Sequence, residues 1–205
     1  MTRLITLLHL SDIQFGRNHR SGIGPAEVTT MTTHPQTRFV TVEDYLASED
    51  GGHIRHEYIG RRLYAMTDAN LRHNRIARNT LIALATQRRD STCEVFMADV
   101  KLRLTIRGED IFYYPDLMVC CDPAGCADNY RTRPGLIVEV LSESTERIDR
   151  CEKLLSYRQI DSLQAYLILS QEEVKATLYR RESGWRAETF SDPGAVLDLP
   201  CAGLK

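Results

Sequence analysis

Residues 135–157, with the sequence GLIVEVLSESTERIDRCEKLLSY, place a carboxylate in the middle of an apolar strand. Residues 136–141 have the β-branched and apolar character of a strand buried on both faces, with a Pro-Gly pair before them and Ser142 after them. Glu139 stands at the centre of this strand. An ionised carboxylate that is removed from water without a partner costs several kcal/mol or takes up a proton. Glu139 therefore predicts a cation, a hydrogen-bond donor or a metal ion beside it.

Length and composition limit the architecture to one domain with a short appendage. The chain has 205 residues, of which 42% are hydrophobic and 26% charged, and this is enough for one α/β domain with a substantial core. The formal net charge of -2 gives no general attraction to nucleic acid or membrane. Any contact with a polyanion must therefore come from a local basic patch.

The six cysteines include no CxxC pair, and several fall in apolar segments where a thiol behaves as a small hydrophobe. We expect them to be reduced and the protein to be cytoplasmic. A zinc site at Cys120, Cys121 and Cys126 is disfavoured, because their spacing matches no common ligand pattern. No segment reaches the roughly 18 apolar residues that a membrane helix requires, so we expect no membrane partner.

The first 30 residues differ in character from the rest of the chain. Residues 4–20, LITLLHLSDIQFGRNHR, resemble the first strand and first metal loop of metallophosphoesterases, but Asp12-Ile13-Gln14 has Gln where that family has His. The other signatures of that family do not occur downstream. We expect residues 1–30 to be an N-terminal extension outside the core fold, with Met31 as an alternative start and residues 31–205 as the domain. Hydrolysis of a small phosphodiester by the extension stays open as a minor alternative.

Hydrophobic periodicity and turn residues predict an alternation of strands and helices beyond residue 40. Thr41 suits a helix N-cap, and two acidic residues follow it in the first turn. The predicted helices cover residues 41–47, 73–89 and 144–160. The predicted strands cover residues 56–60, 61–65, 93–97, 100–106, 114–120, 136–141, 163–170, 174–180 and 185–190.

Candidate catalytic residues are concentrated in the Pro115-Asp116 pair, Glu139 and Lys153. Two carboxylates on adjacent strands offer hard oxygen ligands to Mg²⁺ or Mn²⁺, and the backbone carbonyl of Val140 offers another. A nearby lysine can stabilise charge that develops on a phosphate. The alternatives are that Asp116 is a turn residue at a strand edge and that Lys153 is a solvated helix residue.

Five segments together resemble the Uma-two family of bacterial proteins, which is classed with restriction endonucleases in the PD-(D/E)XK nuclease superfamily. The likeness covers residues 41–204, about four-fifths of the chain. The segments are HEYIGRRLYAM (56–66), RHNRIARNTL (72–81), YYPDLMVCCDP (113–123), LIVEVLSEST (136–145) and EKLLSYRQIDSLQAYLIL (152–169).

This resemblance implies an α/β fold with a restriction-endonuclease-like core, in which a central mixed β-sheet is flanked by α-helices. The superfamily pattern Glu-x-Lys is broken here, because Leu141 stands in the lysine position. In the Uma-two type the lysine is displaced to the following helix, and Lys153 matches that place. Glu57 matches a glutamate near the site, and His73 matches a polar residue at the head of the first core helix. Their alternatives are a hairpin ion pair for Glu57 and a helix-start hydrogen bond for His73.

A local excess of arginine predicts the partner. Residues 53–89 contain eight arginines and no lysine against two acidic residues. Arginine clusters of this kind bind phosphate backbones, so we expect Arg72, His73, Arg75 and Arg78 to contact DNA. The alternative is a solvated helix face that pairs with acidic residues elsewhere.

Together these features predict a Mg²⁺- or Mn²⁺-dependent DNA endonuclease with Asp116, Glu139, Lys153 and Glu57 as catalytic residues. Asp116, Glu139 and Val140 are the predicted metal ligands. The alternative from a different class is a catalytically silent nucleic-acid-binding or assembly module with the same fold. A homodimer stays open as a further assembly.

Overall fold

The computed structural model of the protein describes residues 4–6, 39–66, 69–87, 92–142 and 148–199. The metallophosphoesterase-like motif at Asp12 lies outside the described residues. In chain order, the elements are β1 (Leu4–Thr6), α1 (Val42–Glu49), β2 (His56–Ile59), β3 (Arg62–Ala65), α2 (Leu71–Gln87), β4 (Glu94–Met97), β5 (Lys101–Ile106), β6 (Glu109–Tyr113), β7 (Leu117–Cys120), a 3₁₀ turn (Pro123–Gly125), β8 (Tyr130–Arg131), β9 (Pro134–Val140), a π-helix (Ile148–Lys153), α3 (Leu154–Tyr157), β10 (Ala165–Leu169), β11 (Ala176–Arg180), β12 (Ala187–Phe190) and β13 (Val196–Asp198).

The predicted central mixed sheet is present, and the strand that carries Glu139 lies inside it. Six strands run in the order β12-β11-β10-β9-β7-β4, with β9 and β10 parallel and the other neighbours antiparallel. All seven residues of β9 are buried, because strands flank it on both edges and other elements cover both faces.

Side chains of β9 alternate between two hydrophobic clusters. Leu136, Val138 and Val140 pack on the side that holds the apolar stripe of α2. Ile137 and Leu141 pack on the opposite side, which holds Tyr157 and residues of β5 and β6. Because alternate residues of a strand share a face, Glu139 points to this second side.

A second sheet, in the order β3-β2-β6-β5-β8, brings the β2–β3 hairpin next to the central sheet. Helix α1 holds the hairpin through Tyr45, whose ring stacks 5.0 Å from Tyr58 and 5.1 Å from Phe112. Since Tyr58 faces this aromatic cluster, its neighbour Glu57 faces the other side of β2. The hairpin thereby presents a carboxylate toward the central sheet.

Local sequence signals at the start of the domain are confirmed. The side chain of Thr41 accepts a hydrogen bond from the Asp44 N–H at 3.1 Å, as an N-cap does. The two strands around Gly60 pair antiparallel. Gly60 has φ +57° and its neighbour Arg61 has φ +62°, so the turn uses the left-handed region at both positions.

Two element predictions need correction. The predicted strand 114–120 begins only at Leu117, and Glu109–Tyr113 is a separate strand in the other sheet. Pro115 explains the break, since it has no N–H to continue a ladder. The predicted helix 144–160 is described from Ile148; it is a π-helix over Ile148–Lys153 and an α-helix over Leu154–Tyr157, where it ends.

The expectation that all cysteines are reduced is wrong for Cys93 and Cys121, which form a disulfide with an S–S distance of 2.03 Å. The reason is strand register. Glu94 on β4 pairs with Cys120 on β7 in an antiparallel ladder. Cys93 precedes Glu94 and Cys121 follows Cys120, so the two cysteines lie opposite each other. The cytoplasmic location stays a prediction.

The described part of the N-terminal stretch is a single short strand. Residues Leu4–Thr6 pair antiparallel with Val196–Asp198 as a two-stranded sheet. The boundary between extension and domain at residue 31 stays a prediction. None of the helices within the described residues has the length and apolar character needed to cross a membrane.

Candidate active site

Asp116 and Glu139 face each other across neighbouring strands. Leu117 on β7 pairs with Val138 on β9, which places Asp116 opposite Glu139 at the end of the ladder. The Asp116 N–H donates to Glu139 Oε2 at 3.3 Å, and the Val140 N–H donates to Asp116 Oδ2 at 2.7 Å. Each carboxylate therefore bonds to the backbone of the opposite strand, which fixes both acids at one place.

The Lys153 ammonium lies among three carboxylates. Its Nζ atom is 3.1 Å from Glu139 Oε1, 3.0 Å from Glu57 Oε1 and 3.2 Å from Asp149 Oδ1. Only 7% of the lysine side chain is exposed. The structure thus brings Lys153 to Glu139, and the predicted replacement of the missing Glu-x-Lys lysine by Lys153 stays a prediction.

Glu57 reaches the site from the second sheet. The aromatic packing of Tyr58 on α1 directs Glu57 to the opposite face of β2. There its carboxylate pairs with Lys153. The sequence left open whether Glu57 joins the site or pairs with an arginine of its own hairpin, and the structure brings its carboxylate to Lys153, while its catalytic role stays a prediction.

Tyr157 lies in the site, although it was not among the predicted site residues. Its hydroxyl donates to Glu139 Oε1 at 2.9 Å, and its ring lies edge-on to Tyr113 and Tyr166. Asp149 was also not predicted as a site residue. The available signal was the i, i+4 spacing of Asp149, Lys153 and Tyr157, which puts all three along one edge of a helix.

His73 has a hydrogen bond at the start of its helix and a contact with Asp116, and its role in the site stays a prediction. Its backbone N–H donates to the side chain of Asn70 at 2.9 Å, which caps the start of α2. Its ring Nε2 lies 3.0 Å from Asp116 Oδ1. Only 14% of the His73 side chain is exposed, so in this structure the ring faces the acidic site.

Burial and charge shift the pKa values of the central groups. Burial raises the pKa of Glu139 well above its usual range, and Asp149, Asp116 and Glu57 add to this against the opposing effect of Lys153. For Lys153, burial alone would lower the pKa, but the carboxylates of Glu139, Glu57 and Asp149 outweigh it and raise the pKa. The lysine therefore stays an ammonium ion.

The pKa values of Tyr157 and His73, which lie beside Glu139 and Asp116, are also raised. Burial raises the pKa of the Tyr157 hydroxyl, which therefore remains a donor to Glu139. Burial would lower the pKa of His73, but its hydrogen bond with Asp116 and the charges of Asp116 and Asp149 outweigh this effect and raise the pKa.

The donor set fits a hard divalent cation in type and in charge. The four carboxyl groups of Asp116, Glu139, Glu57 and Asp149 outnumber the two basic groups beside them, Lys153 and His73. A carboxylate oxygen accepts about two hydrogen bonds. Glu139 Oε1 already has two donors, whereas Glu139 Oε2 and each oxygen of Asp116 have one. These three oxygens have acceptor capacity left for a cation.

The site as it stands is not arranged around an ion. Among the residues that the structure describes, no three His, Cys, Asp or Glu side chains form a group that could hold a metal ion. Val140 already uses its N–H toward Asp116, and an extended residue directs its carbonyl to the same side as its N–H. The Val140 carbonyl therefore lies on the Asp116 side of β9, but ion binding would require the carboxylates to move from their present positions.

The predicted DNA-binding arginines on α2 differ in their surroundings. Arg72 donates to the backbone oxygen of Gln171 at 3.0 Å and pairs with Glu172 at 3.1 Å. This contact agrees with the alternative of pairing to acidic residues elsewhere. Arg75 and Arg78 are exposed, and Arg78 donates to the neighbouring Asn79 side chain.

Comparisons with known proteins place this chain in a family. Residues 42–204 match the model of the Uma2 family, which carries the description "Putative restriction endonuclease". Two uncharacterized proteins from Synechocystis sp. are similar to this chain. One is 33% identical over 138 residues, which cover 66% of this chain and 77% of that protein. The other is 32% identical over 140 residues, which cover 68% of this chain and 73% of that protein.

A solved structure shares the fold. It is the crystal structure of a "putative nuclease belonging to DUF820" from Anabaena variabilis, with 18% sequence identity and a TM-score of 0.58. The match covers 71% of this chain and 81% of that chain. The predicted fold class is confirmed by this likeness.

Proposed function

Because this chain belongs to the Uma2 family, we propose that it is a metal-dependent endonuclease that hydrolyses phosphodiester bonds of DNA. The observation that carries this proposal is the convergence of Asp116, which directly precedes β7, Glu139 on β9 and Lys153 on the π-helix. The Glu139 carboxylate accepts hydrogen bonds from the Asp116 N–H and from the Lys153 ammonium, so two acidic residues and one ammonium meet at one place and supply the functional groups that phosphodiester hydrolysis uses.

Asp116 and Glu139, with the carbonyl of Val140, would hold Mg²⁺ or Mn²⁺. When bound, such an ion neutralises charge on a phosphate and lowers the pKa of a bound water. Lys153 supplies a fixed positive charge for the scissile phosphate, and Glu57 holds the ammonium from the side of the second sheet. Tyr157 orients the Glu139 carboxylate by donating to Oε1.

The exposed arginines of α2 would bind the DNA backbone. His73, at the head of the same helix, contacts Asp116, so α2 connects the basic surface with the acidic site. Arg75 and Arg78 are exposed, and their charges would attract phosphates close to Asp116. A location in the cytoplasm accords with a DNA substrate.

Cleavage of supercoiled plasmid tests the proposal. We expect nicking or linearisation with Mg²⁺ or Mn²⁺ that is lost with EDTA and in Asp116→Asn. This substitution keeps an oxygen that can accept from the Val140 N–H. The matched control is Asp192→Asn in the exposed turn after β12, where the side chain accepts from Gly194. Equal cleavage by wild type and Asp116→Asn would contradict the proposal.

One feature favours a second candidate, a catalytically silent nucleic-acid-binding or assembly module. Lys153 is already held by carboxylates, and Asp116 already has His73 and the Val140 N–H as partners. DNA binding that weakens steeply with salt, without cleavage under any divalent ion, would establish this alternative. Sedimentation or light scattering would show whether the silent module forms a homodimer.

A further inference from the structure

We propose that Asp149 is a positioning residue that fixes the Lys153 ammonium between Glu57 and Glu139. This inference rests on the proposed function for its catalytic consequence, but its structural content can be tested separately. Asp149 lies on the π-helix four residues before Lys153 and is 2% exposed. Its Oδ1 atom lies 3.2 Å from Lys153 Nζ.

The backbone of Asp149 is attached to the central sheet. The Tyr166 hydroxyl on β10 donates to the Asp149 carbonyl oxygen at 3.0 Å, and Tyr166 is fully buried. The ring of Tyr166 in turn packs 5.1 Å from the ring of Tyr157. The start of the π-helix is therefore held to the same strand layer that carries Glu139. A carboxylate on this backbone is a fixed point against which a long side chain can be oriented.

Charge balance does not require this third acid. One carboxylate neutralises one ammonium, and Lys153 already contacts Glu57 and Glu139. A further buried carboxylate adds uncompensated negative charge, which costs stability. Asp149 Oδ1 is also a buried oxygen without a hydrogen bond of good geometry in the described part of the chain. A buried oxygen without a good hydrogen bond calls for an explanation, and its position beside a candidate catalytic lysine points to a role in the site.

A need to orient the Lys153 ammonium explains the presence of Asp149, which charge balance does not explain. An ammonium group has three N–H donors that rotate on a flexible four-carbon stem. Here three carboxylates from three different elements surround it at 3.0, 3.1 and 3.2 Å. In the Glu-x-Lys pattern the lysine shares a strand with the glutamate, whereas here it extends from a helix. Asp149, on that same helix, is the contact that sets the direction of the lysine relative to its own backbone.

Nuclear magnetic resonance of the lysine side chain tests this positioning without any assay of activity. The chain has four lysines, of which Lys153 is the buried one among those described. With ¹⁵N-labelled lysine, we expect a slowly exchanging Nζ–H signal that is absent in Lys153→Arg. We expect this signal to be lost in Asp149→Asn and Asp149→Ala and retained in Glu152→Gln, which changes an exposed acid of the same π-helix.

Cleavage kinetics test the catalytic consequence. We expect Asp149→Asn to lower kcat by about 10- to 100-fold, as loss of an orienting partner does, with unchanged affinity for uncleaved DNA. An unchanged Lys153 signal in the folded variants would overturn the proposal, as would a failure of both Asp149 variants to fold, which would indicate a purely structural role. An inactive wild type would instead contradict the proposed function, and the lysine signal would still decide the role of Asp149.

Discussion

The Lys153 ammonium lies 3.1 Å from the Glu139 carboxylate, although 14 residues and a change from strand to helix separate them. Leu141, which occupies the usual lysine position of the strand, is 5% exposed and packs in the hydrophobic cluster beside Tyr157. The strand position that normally provides the charge therefore belongs to the core here. The helix provides the lysine instead, and its ammonium becomes part of a buried ionic group.

Replacement of Lys153 by methionine is expected to abolish cleavage and to destabilise the fold. Glu57, Glu139 and Asp149 would lose their shared counter-charge, and breaking a buried ionic group of this kind costs about 3–5 kcal/mol. Chemical denaturation measures the loss. Lys175→Met is the matched control, because Lys175 pairs with Glu173 at a more exposed position, 35% against 7% exposed, where a pair contributes about 0–1 kcal/mol.

A second substitution should restore part of the lost stability. Glu57→Gln in the Lys153→Met background removes one of the carboxylates that have lost their partner. We expect the double variant to be more stable than Lys153→Met alone and still inactive. If Lys153→Met unfolds at the same denaturant concentration as wild type, the buried carboxylates do not need the lysine charge for stability, and the prediction is wrong.

The pair of His73 and Asp116 should make stability depend on pH. The pKa of His73 is raised from 6.5 in the folded protein because the interaction with Asp116 outweighs burial. A raised folded pKa contributes stability that is complete below the unfolded pKa and is lost as pH rises through the folded pKa. We therefore expect wild type to melt at a higher temperature than His73→Gln, with the largest difference below the ordinary histidine pKa of about 6.5 and a smaller one as pH rises above it. A difference that is constant or grows with pH would contradict the pairing.

Arg75 and Arg78 are expected to contribute to DNA affinity more than Arg72 does. Arg72 is already bonded to Gln171 and Glu172, whereas Arg75 and Arg78 are exposed. Each phosphate contact that is lost should reduce the slope of log affinity against log salt by about 1. Fluorescence anisotropy over a salt series measures this slope. Arg186→Ala changes an exposed arginine in the connection between β11 and β12 and is the control that should leave the slope unchanged.

A chain that begins at Met31 is expected to fold with nearly unchanged stability. Within the described residues, the removed part contributes the pairing of Leu4–Thr6 with Val196–Asp198. We expect the melting temperature to change by less than about 2–4 °C, which corresponds to 1 kcal/mol in a domain of this size. A larger decrease would show that the first strand belongs to the core.

Sequence by itself was sufficient to predict the elements and the residues whose signals are local. A carboxylate among β-branched residues marked Glu139 as a buried acid, and the Pro-Asp pair indicated Asp116. The N-cap at Thr41 and the Gly60 turn were also predictable, because capping and turn formation depend on a few neighbouring residues. The family likeness supplied the displaced lysine, which no periodicity could assign to the site.

Only the tertiary structure decided which groups meet. The contacts of His73 with Asp116 and of Glu57 with Lys153 join residues from different layers, and strand register brings Cys93 to Cys121. Asp149 and Tyr157 showed helical spacing in the sequence. Such spacing predicts that the two side chains lie on the same edge of a helix, but it does not predict which residues pack against that edge. The burial that turns these polar side chains into one ionic group arises from packing two sheets together. That packing involves residues far apart in the chain, and a local pattern cannot report it.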